Sequence, residues 1–194
     1  MTTTTDVLTI GQLEVPAGTW RIDPSHSQVG FSVRYLGLSK VRGRFEDFTG
    51  SITVGHEASD ASVEATIQAA SIDTGERSRD EHLRAADFLD VERYPTIEFR
   101  STSIRLDAQQ WAVEGELTLH GVTRPVLLSA DVEGIASDPY GNLRLAFTGK
   151  TEIDRGDFGL NWNQVLETGG VLVGRRITID LEIQALLDDG GDQG

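Results

Sequence analysis

Apolar residues recur at every second position through most of this chain, and that periodicity constrains its fold more than any other feature. A period of two places successive side chains on opposite faces of an extended strand. Residues 27–36 put Val29, Phe31, Val33 and Tyr35 on one face, and 61–70 do the same with Val63, Ala65, Ile67 and Ala69. Residues 110–119 set Trp111, Val113, Leu117 and Leu119 against Glu114, Glu116 and Thr118. Val126, Leu128, Ala130 and Val132 follow, then Leu143, Leu145, Phe147 and Ile153, and then Val171, Val173, Ile177, Ile179, Leu181 and Ile183. Shorter runs cover Trp20–Ile22, Phe45–Val54 with a break near Gly50, and Ile97–Leu106, whose parity changes after Ser101 as a bulge would make it. The pattern predicts eight or nine strands.

The connections at Asp107–Gln109, His120–Gly121 and Asp138–Asn142 are of hairpin length, so neighbouring strands are antiparallel. Such a sheet hides its edges by closing into a barrel or folding into a sandwich. Glycine, 21 of 194 residues, exceeds the usual ~7% and fits an all-β chain. One segment breaks the alternation. Ser78-Arg-Asp-Glu81 reads as a capping box followed by Leu83, Ala86 and Leu89 at helical spacing, which predicts one helix within 75–91. Residues 1–16 read as a flexible, Thr-rich lead-in, 17–187 as a single domain and 188–194 as a flexible acidic tail.

Composition removes several classes of function. There is no cysteine, hence no disulfide, thiolate metal site or cysteine nucleophile. A net charge of −14 argues against nucleic acid as a partner, because that affinity rests on Lys and Arg. No apolar run is long enough for a membrane-spanning helix. Met1–Ile10 has neither a basic residue nor the apolar run of a secretory signal, which leads us to expect a cytoplasmic protein.

The chemical inventory is thin. His26, His56, His82 and His120 show no metal-ligand spacing; a site from His26, His82 and His120 would need the fold to gather them, and no metal is expected. Ser25 and His26 are adjacent, but no nucleophile-elbow motif occurs, and the Gly169-Gly170 and Gly190-Gly191 pairs match no phosphate-binding loop. Cations, however, are concentrated. Residues 24–45 hold Arg34, Lys40, Arg42 and Arg44 with no acid, and 77–84 hold Arg77, Arg79 and Arg84. They read either as contacts for an anionic ligand group or as outward charges paired with carboxylates elsewhere. Gly43, Ala65, Ala69, Gly115, Ala130 and Gly149 share parity with the large apolar residues, so a barrel interior could hold open volume. The alternative is that the large side chains fill it.

Several ordered blocks resemble the YceI-like family. They are Thr19-Trp-Arg-Ile-Asp-Pro-Ser-His-Ser-Gln-Val-Gly-Phe-Ser-Val33, Leu38-Ser-Lys-Val-Arg-Gly-Arg-Phe45, and Ser71-Ile-Asp-Thr74 with Arg79-Asp-Glu-His-Leu-Arg84 and Ala86-Asp-Phe88. Tyr94-Pro-Thr-Ile-Glu-Phe-Arg-Ser101, Gly115-Glu-Leu-Thr-Leu-His-Gly-Val-Thr-Arg-Pro125 and Ile153-Asp-Arg-Gly-Asp-Phe-Gly-Leu160 follow, with the closing Val173–Ile183 strand. The resemblance spans about residues 18–186. Gly174-Arg-Arg176 departs from the family's pattern, which carries an acid after this glycine in many members.

The resemblance implies a lipocalin-like, extended eight-stranded antiparallel barrel with a helical insertion. It also implies that a polyisoprenoid, isoprenoid quinone or similar lipid lies along the barrel axis, and it does not imply a reaction; no cofactor beyond that bound lipid is expected. Parity assigns Phe31, Val33, Tyr35, Phe45, Ile67, Phe88, Phe99, Trp111, Val113, Leu117, Phe147 and Trp162 to the tunnel. Charge assigns Arg42, Arg79, Asp80, His82 and Arg84 to a head-group site at its mouth. Gly115, between Val113 and Leu117, is expected to face open tunnel. The alternative is an enzyme acting on an apolar substrate, with His26, Asp80 or His82 as acid or base. A homodimer is left open by these features. Because no metal-ligand spacing is present, EDTA is expected to leave the melting temperature unchanged; a drop of several degrees that zinc reverses would show histidine ligation.

Overall fold

The computed structural model describes residues 6–10, 12–107, 110–167 and 169–188. Residues 1–5 of the expected lead-in, residues 108–109 of the Asp107–Gln109 turn and residues 189–194 of the expected tail lie outside them. The strands are β1 (Val7–Ile10), β2 (Leu13–Pro16), β3 (Gly18–Ile22), β4 (Gln28–Tyr35), β5 (Ser39–Phe45), β6 (Phe48–Val54), β7 (Ser62–Gln68), β8 (Ile72–Asp73), β9 (Thr96–Asp107), β10 (Gln110–Leu119), β11 (Val122–Ser137), β12 (Leu143–Asp154) and β13 (Val173–Leu187), and the helix is α1 (Arg77–Arg84).

Eight of the strands close a ring in the order β3–β6–β7–β9–β10–β11–β12–β13, and β13 returns to β3. Every pairing in it is antiparallel. Strand β13 spans about 50 Å at the usual rise per residue, long enough to take two partners end to end on one edge. Residues 185–187 pair with β3, and residues 173–182 pair with β4. The sheet continues beyond β4 through β5 to β8. This end of the barrel is therefore splayed, whereas the β3 end is closed.

The alternation predicted from sequence is clearest in β10, where Trp111, Val113, Gly115, Leu117 and Leu119 are all buried. The parity change after Ser101 is a bulge: Ser101 opposes Gly115 while Ser103 opposes Glu114, which leaves Thr102 extra. The His120-Gly121 connection has positive φ at both residues, 53° and 71°, the backbone that a two-residue hairpin turn requires. The break expected near Gly50 falls instead at Glu46-Asp47, between β5 and β6. Gly50 lies within β6, where a side chain would strike the Glu64 carbonyl oxygen of the neighbouring strand.

Three other expectations are corrected. Residues 7–10 and 13–16 are not a loose lead-in: β1 and β2 pair antiparallel and bury Leu8 and Val15. Thr-rich flanks hid two short apolar alternations. The helix covers only 77–84 of the expected 75–91, because the chain turns at Ala85, whose φ and ψ of −72° and 171° are extended. Its N-cap is not Ser78 but Glu76, whose carboxylate accepts the Ser78 and Arg79 N–H groups.

The closed end is plugged. Leu8, Val15, Trp20, Ile52, Val54, Ile104, Trp111 and Ala185 pack into one apolar cluster, with Trp20 and Ala185 fully buried. A second cluster, at the helix end, includes Ile72, Leu89, Leu119, Phe158 and Leu160. Outside the plug, Arg144 bridges Asp23 at 2.8 Å and Asp138 at 2.9 Å, tying the turn after β3 to the β11–β12 hairpin. Side-chain and backbone hydrogen bonds from Asn142, with those from Arg144 and the Tyr140 N–H, outweigh burial and hold the Asp138 carboxyl well below its ordinary value. Burial opposes ionisation of Asp23, but Arg144, His26 and the Ser25 N–H outweigh it and lower that pKa as well. Depressed carboxylates stabilise the fold above their unfolded value of 3.8 and lose that contribution as pH falls through their folded values. Asp138→Ala is thus expected to lower the melting temperature near neutral pH, with the gap to wild type closing in strong acid. Thermal melts from about pH 7 to about pH 2 check this; a constant gap contradicts it.

Candidate ligand-binding tunnel

Below the tryptophan plug the inward faces do not meet, and a cavity of about 860 Å³ runs to the splayed end of the barrel. That volume lies near the upper end of the usual range for small-molecule sites. Its walls are the inward parities of β4, β5, β7, β9, β10, β11, β12 and β13. Of the residues that parity placed there, Phe31, Val33, Tyr35, Phe45, Ile67, Phe88, Phe99, Val113, Leu117, Phe147 and Trp162 line it. Trp111 does not. It belongs to the plug, and its indole Nε1 is buried without an acceptor among the described residues. Parity selects a face but cannot say how far along the axis the open space extends.

The small residues behave differently from one another. Ala65 and Ala130 line the cavity. The space over Gly43 is taken by the Phe31 ring and that over Gly115 by the Phe99 ring. The expectation that Gly115 faces open tunnel is therefore wrong: a Cβ there would lie 2.5 Å from Phe99 Cζ and 2.7 Å from the Arg100 carbonyl oxygen. A glycine and an aromatic ring share one site, and the ring is what the tunnel sees.

The mouth lies between α1, the turn after β4, and the lining residues Leu160, Trp162, Leu172 and Val173. Arg79 and His82, both expected at a mouth, line the cavity there with Glu76 and Ser78. Arg42, Asp80 and Arg84 do not line it. Arg42 stands opposite Ser32 on the outer face of the β4–β5 pair, because its parity is that of Arg34 and not of Val33. Asp80 is buried and accepts the Thr74 N–H and hydroxyl. Arg84 donates to the Ala70 and Ile72 carbonyls, both at 2.7 Å. Arg79 adds bonds to the Thr74 hydroxyl and carbonyl at 2.7 and 2.9 Å. The Ser71–Thr74 and Arg79–Arg84 blocks thus clasp one another, with Arg79 also bordering the cavity. Its polar residues are mainly a joint between β8 and α1.

An aromatic triad closes this side of the mouth. His82 meets Phe88 and Trp162 edge-on, with ring centres 5.0 and 4.9 Å apart, and Phe88 and Trp162 are 5.0 Å apart. His82 Nε2 pairs with Asp87 at 3.0 Å. The fold does not gather His26, Asp80 and His82. His26 pairs with Asp23 outside the cavity and Asp80 is committed to Thr74. His56 pairs with Asp6, and His120 contacts the Phe158 carbonyl oxygen. Among the described residues no three His, Asp or Glu side chains converge as a metal site.

Sequence reasoning missed Arg155, the one buried arginine among the described residues. It lines the cavity at its mouth end and donates to the carbonyls of Leu160, Trp162 and Gly174 at 2.7, 2.9 and 2.9 Å. Burial pushes its pKa down, Arg175 adds to that and Asp154 opposes it, yet a guanidinium stays charged throughout. Arg155 holds the segment carrying Trp162 against the start of β13. A single arginine between two aspartates in Asp-Arg-Gly-Asp carried no signal of burial. The inward residues Ile177, Ile179, Leu181 and Ile183 of β13 also line the cavity, and their shared parity was visible in the sequence.

A closed antiparallel sheet around an apolar interior, plugged at one end and open at the other beside a helix, defines a lipocalin-like barrel. The chain belongs to the YceI-like domain family, whose sequence profile matches residues 20–185. The UPF0312 protein plu2095 of Photorhabdus laumondii is 39% identical over 145 residues, covering 73% of this chain and 76% of that protein. The structure of BcnA from Burkholderia cenocepacia superposes with a TM-score of 0.72 at 22% identity, covering 84% of this chain and 98% of that one. A polyisoprenoid binding domain from Saccharophagus degradans, implicated in plant cell wall breakdown, superposes with a TM-score of 0.67 at 16% identity over 89% and 99% of the two chains.

Because Phe99 occupies the space over Gly115, Gly115→Leu is expected to strain the barrel and not to plug an intact tunnel. The expected loss is about 1–3 kcal/mol, measured by denaturant unfolding; an unchanged midpoint would show that the Phe99 ring can vacate the site.

Proposed function

We propose that this protein binds a long, linear apolar molecule of the polyisoprenoid class, sequestering or carrying it with its chain along the tunnel and its polar end at the mouth. The observation that carries this reading is the cavity: about 860 Å³ of continuous apolar interior, closed by the Trp20–Trp111 plug and open beside Arg79 and His82. Such a chain is held by removal from water, at roughly 2.5 kcal/mol for every 100 Å² of apolar surface enclosed. No directional contact is needed along its length, which suits walls of Val, Leu, Ile and Phe. A few polar groups at the mouth suffice to orient the end that stays wet. The fold shared with a polyisoprenoid binding domain supports the ligand class.

The reading is non-catalytic. Among the described residues, His82 is the only one of the three acid–base candidates that borders the cavity, and its carboxylate partner Asp87 does not line it. Acid–base chemistry on a bound substrate needs a positioned group within hydrogen-bond reach of the reacting atom, and usually a second to return the proton.

Lipid extraction and mass spectrometry of protein purified from its host test the ligand class directly. A polyprenyl chain at near-stoichiometric amount supports the reading. Ala65→Phe fills the tunnel from a wall residue that lines it. It is expected to lower retained lipid at least about tenfold while the protein stays folded, by analogy with filling a core void. Unchanged retention in the folded variant contradicts the tunnel assignment.

A further inference from the structure

Two hairpin tips stand side by side at the mouth. The β4–β5 turn is a tight one, with Leu36 and Gly37 at φ 55° and 69°, and the Leu36 N–H donates to the Leu172 carbonyl at 2.8 Å. Leu172 in turn belongs to a second hairpin, in which Val165 pairs with Val171 and the Leu172 N–H donates to the Gln164 carbonyl at 3.0 Å. Of the eight large apolar side chains exposed among the described residues, five are on these tips: Tyr35, Leu36, Leu38, Val165 and Val171. Leu38 is 83% exposed and Val165 80%. Single exposed apolar residues need no explanation, but a cluster at the rim of a cavity does.

The two strands leading to the first tip carry four cations, Arg34, Lys40, Arg42 and Arg44, and no acid. Arg34 lies directly opposite Lys40 on the outer face of the β4–β5 pair, and Arg42 follows two residues on. Like charges directly opposed across strands are unfavourable, and among the described residues no carboxylate pairs with Arg34, Lys40 or Arg42. Arg176 on the adjacent β13 reaches Glu152 only at 3.9 Å, whereas Arg175 is held by Asp154 at 3.0 Å. The carboxylates near this end include Glu76 at the mouth, Asp87 beside His82, Asp154 and Glu152 beside Arg175 and Arg176, and Glu167 on the second tip, and none of them pairs with Arg34, Lys40 or Arg42. The remainder of a chain of net charge −14 would repel an anionic surface, so attraction is confined to this one orientation.

We propose that the mouth end of the barrel docks on an anionic lipid bilayer, with Leu38 and Val165 entering the interfacial layer and Arg34, Lys40 and Arg42 meeting lipid head groups. Apolar tips flanked by cations are the combination that holds a protein at such an interface without spanning it. A nucleic acid would satisfy the cations but leave the tips in water. A second copy of this face would cover the tips but bring the same cations together. Tyr35 and Leu172 border the cavity, so docking points the tunnel at the membrane. The surface residues invoked do not line the tunnel, and docking and lipid retention are read by separate assays.

The test is flotation of the full chain with vesicles of phosphatidylcholine and phosphatidylglycerol, against phosphatidylcholine alone. The wild type is expected to float with the mixed vesicles at low ionic strength and to be released by about 0.5 M salt. Leu38→Asp with Val165→Asp, and separately Arg34→Glu, Lys40→Glu and Arg42→Glu together, are each expected to lower the bound fraction about tenfold. Leu38→Ser with Val165→Ser gives the same comparison should the aspartate pair fail to fold. Retained lipid is expected to be unchanged in every folded variant. Equal binding to both vesicles, no binding, or variants that float like wild type would overturn the proposal. So would a dimer, seen by sedimentation velocity, that Leu38→Asp dissociates.

Discussion

Ring closure through β13 is the constraint on which the rest of the structure depends. One strand edge pairs with β12 over eleven register positions, from Arg144–Leu186 to Asp154–Arg176. The other edge is shared by β3 and β4, which the turn at Pro24–His26 sets end to end. The two partners diverge after that turn. β3 feeds the closed ring, and β4 feeds the β5–β8 extension. A sheet that closes fully at one end and splays at the other must be plugged at the first and lined at the second. The tunnel's closed end and its mouth both follow from this division.

Polar chemistry in the molecule is spent mostly on holding those two ends in place. Arg144 joins Asp23 to Asp138 near the closed end. Arg84 and Asp80 join α1 to residues 70–74, and Arg155 joins the Trp162 segment to β13. Each guanidinium presents several donors in fixed geometry, which lets one side chain satisfy carbonyls or carboxylates from different segments. Such joints matter in a barrel whose interior is not fully packed. The side chains around an open cavity lack contacts on one side, so the rim must be fixed by something other than core packing.

The mouth gathers what the joints leave over. Arg79 and His82 border the cavity, the His82–Phe88–Trp162 rings shield it, and the exposed tips at Leu38 and Val165 project beyond it. Cations on the outer faces of β4 and β5 follow from parity alone, since Arg34, Lys40 and Arg42 alternate with the tunnel residues Val33 and Val41. One strand pair thereby presents an apolar wall inside and a positive wall outside.

Much of this was legible in the chain itself. Alternation is a local property, because each residue's face is set by its neighbours two positions away. It therefore identified the long strands of the barrel, though not the short β1 and β2, and also the bulge after Ser101 and eleven of the twelve cavity-lining residues named from parity. Short hairpins are local too, and so is the His120-Gly121 turn. What the chain could not reveal is position along the barrel axis and the partner across space. Trp111 and Val113 share a face and one apolar cluster with Trp20, Leu8 and Val15, yet only Val113 also lines the cavity, because depth along the axis depends on how the closed ring is staggered. Gly115 shares that face and is capped by Phe99, a residue of the neighbouring strand. Asp80 and Arg84 looked like ligand contacts because charge alone does not reveal a carbonyl or a threonine waiting in another segment. Arg155 looked like surface for the same reason. The face of a strand is decided within it, whereas depth, cavity and the partner of a charge are decided only when strands distant in sequence meet.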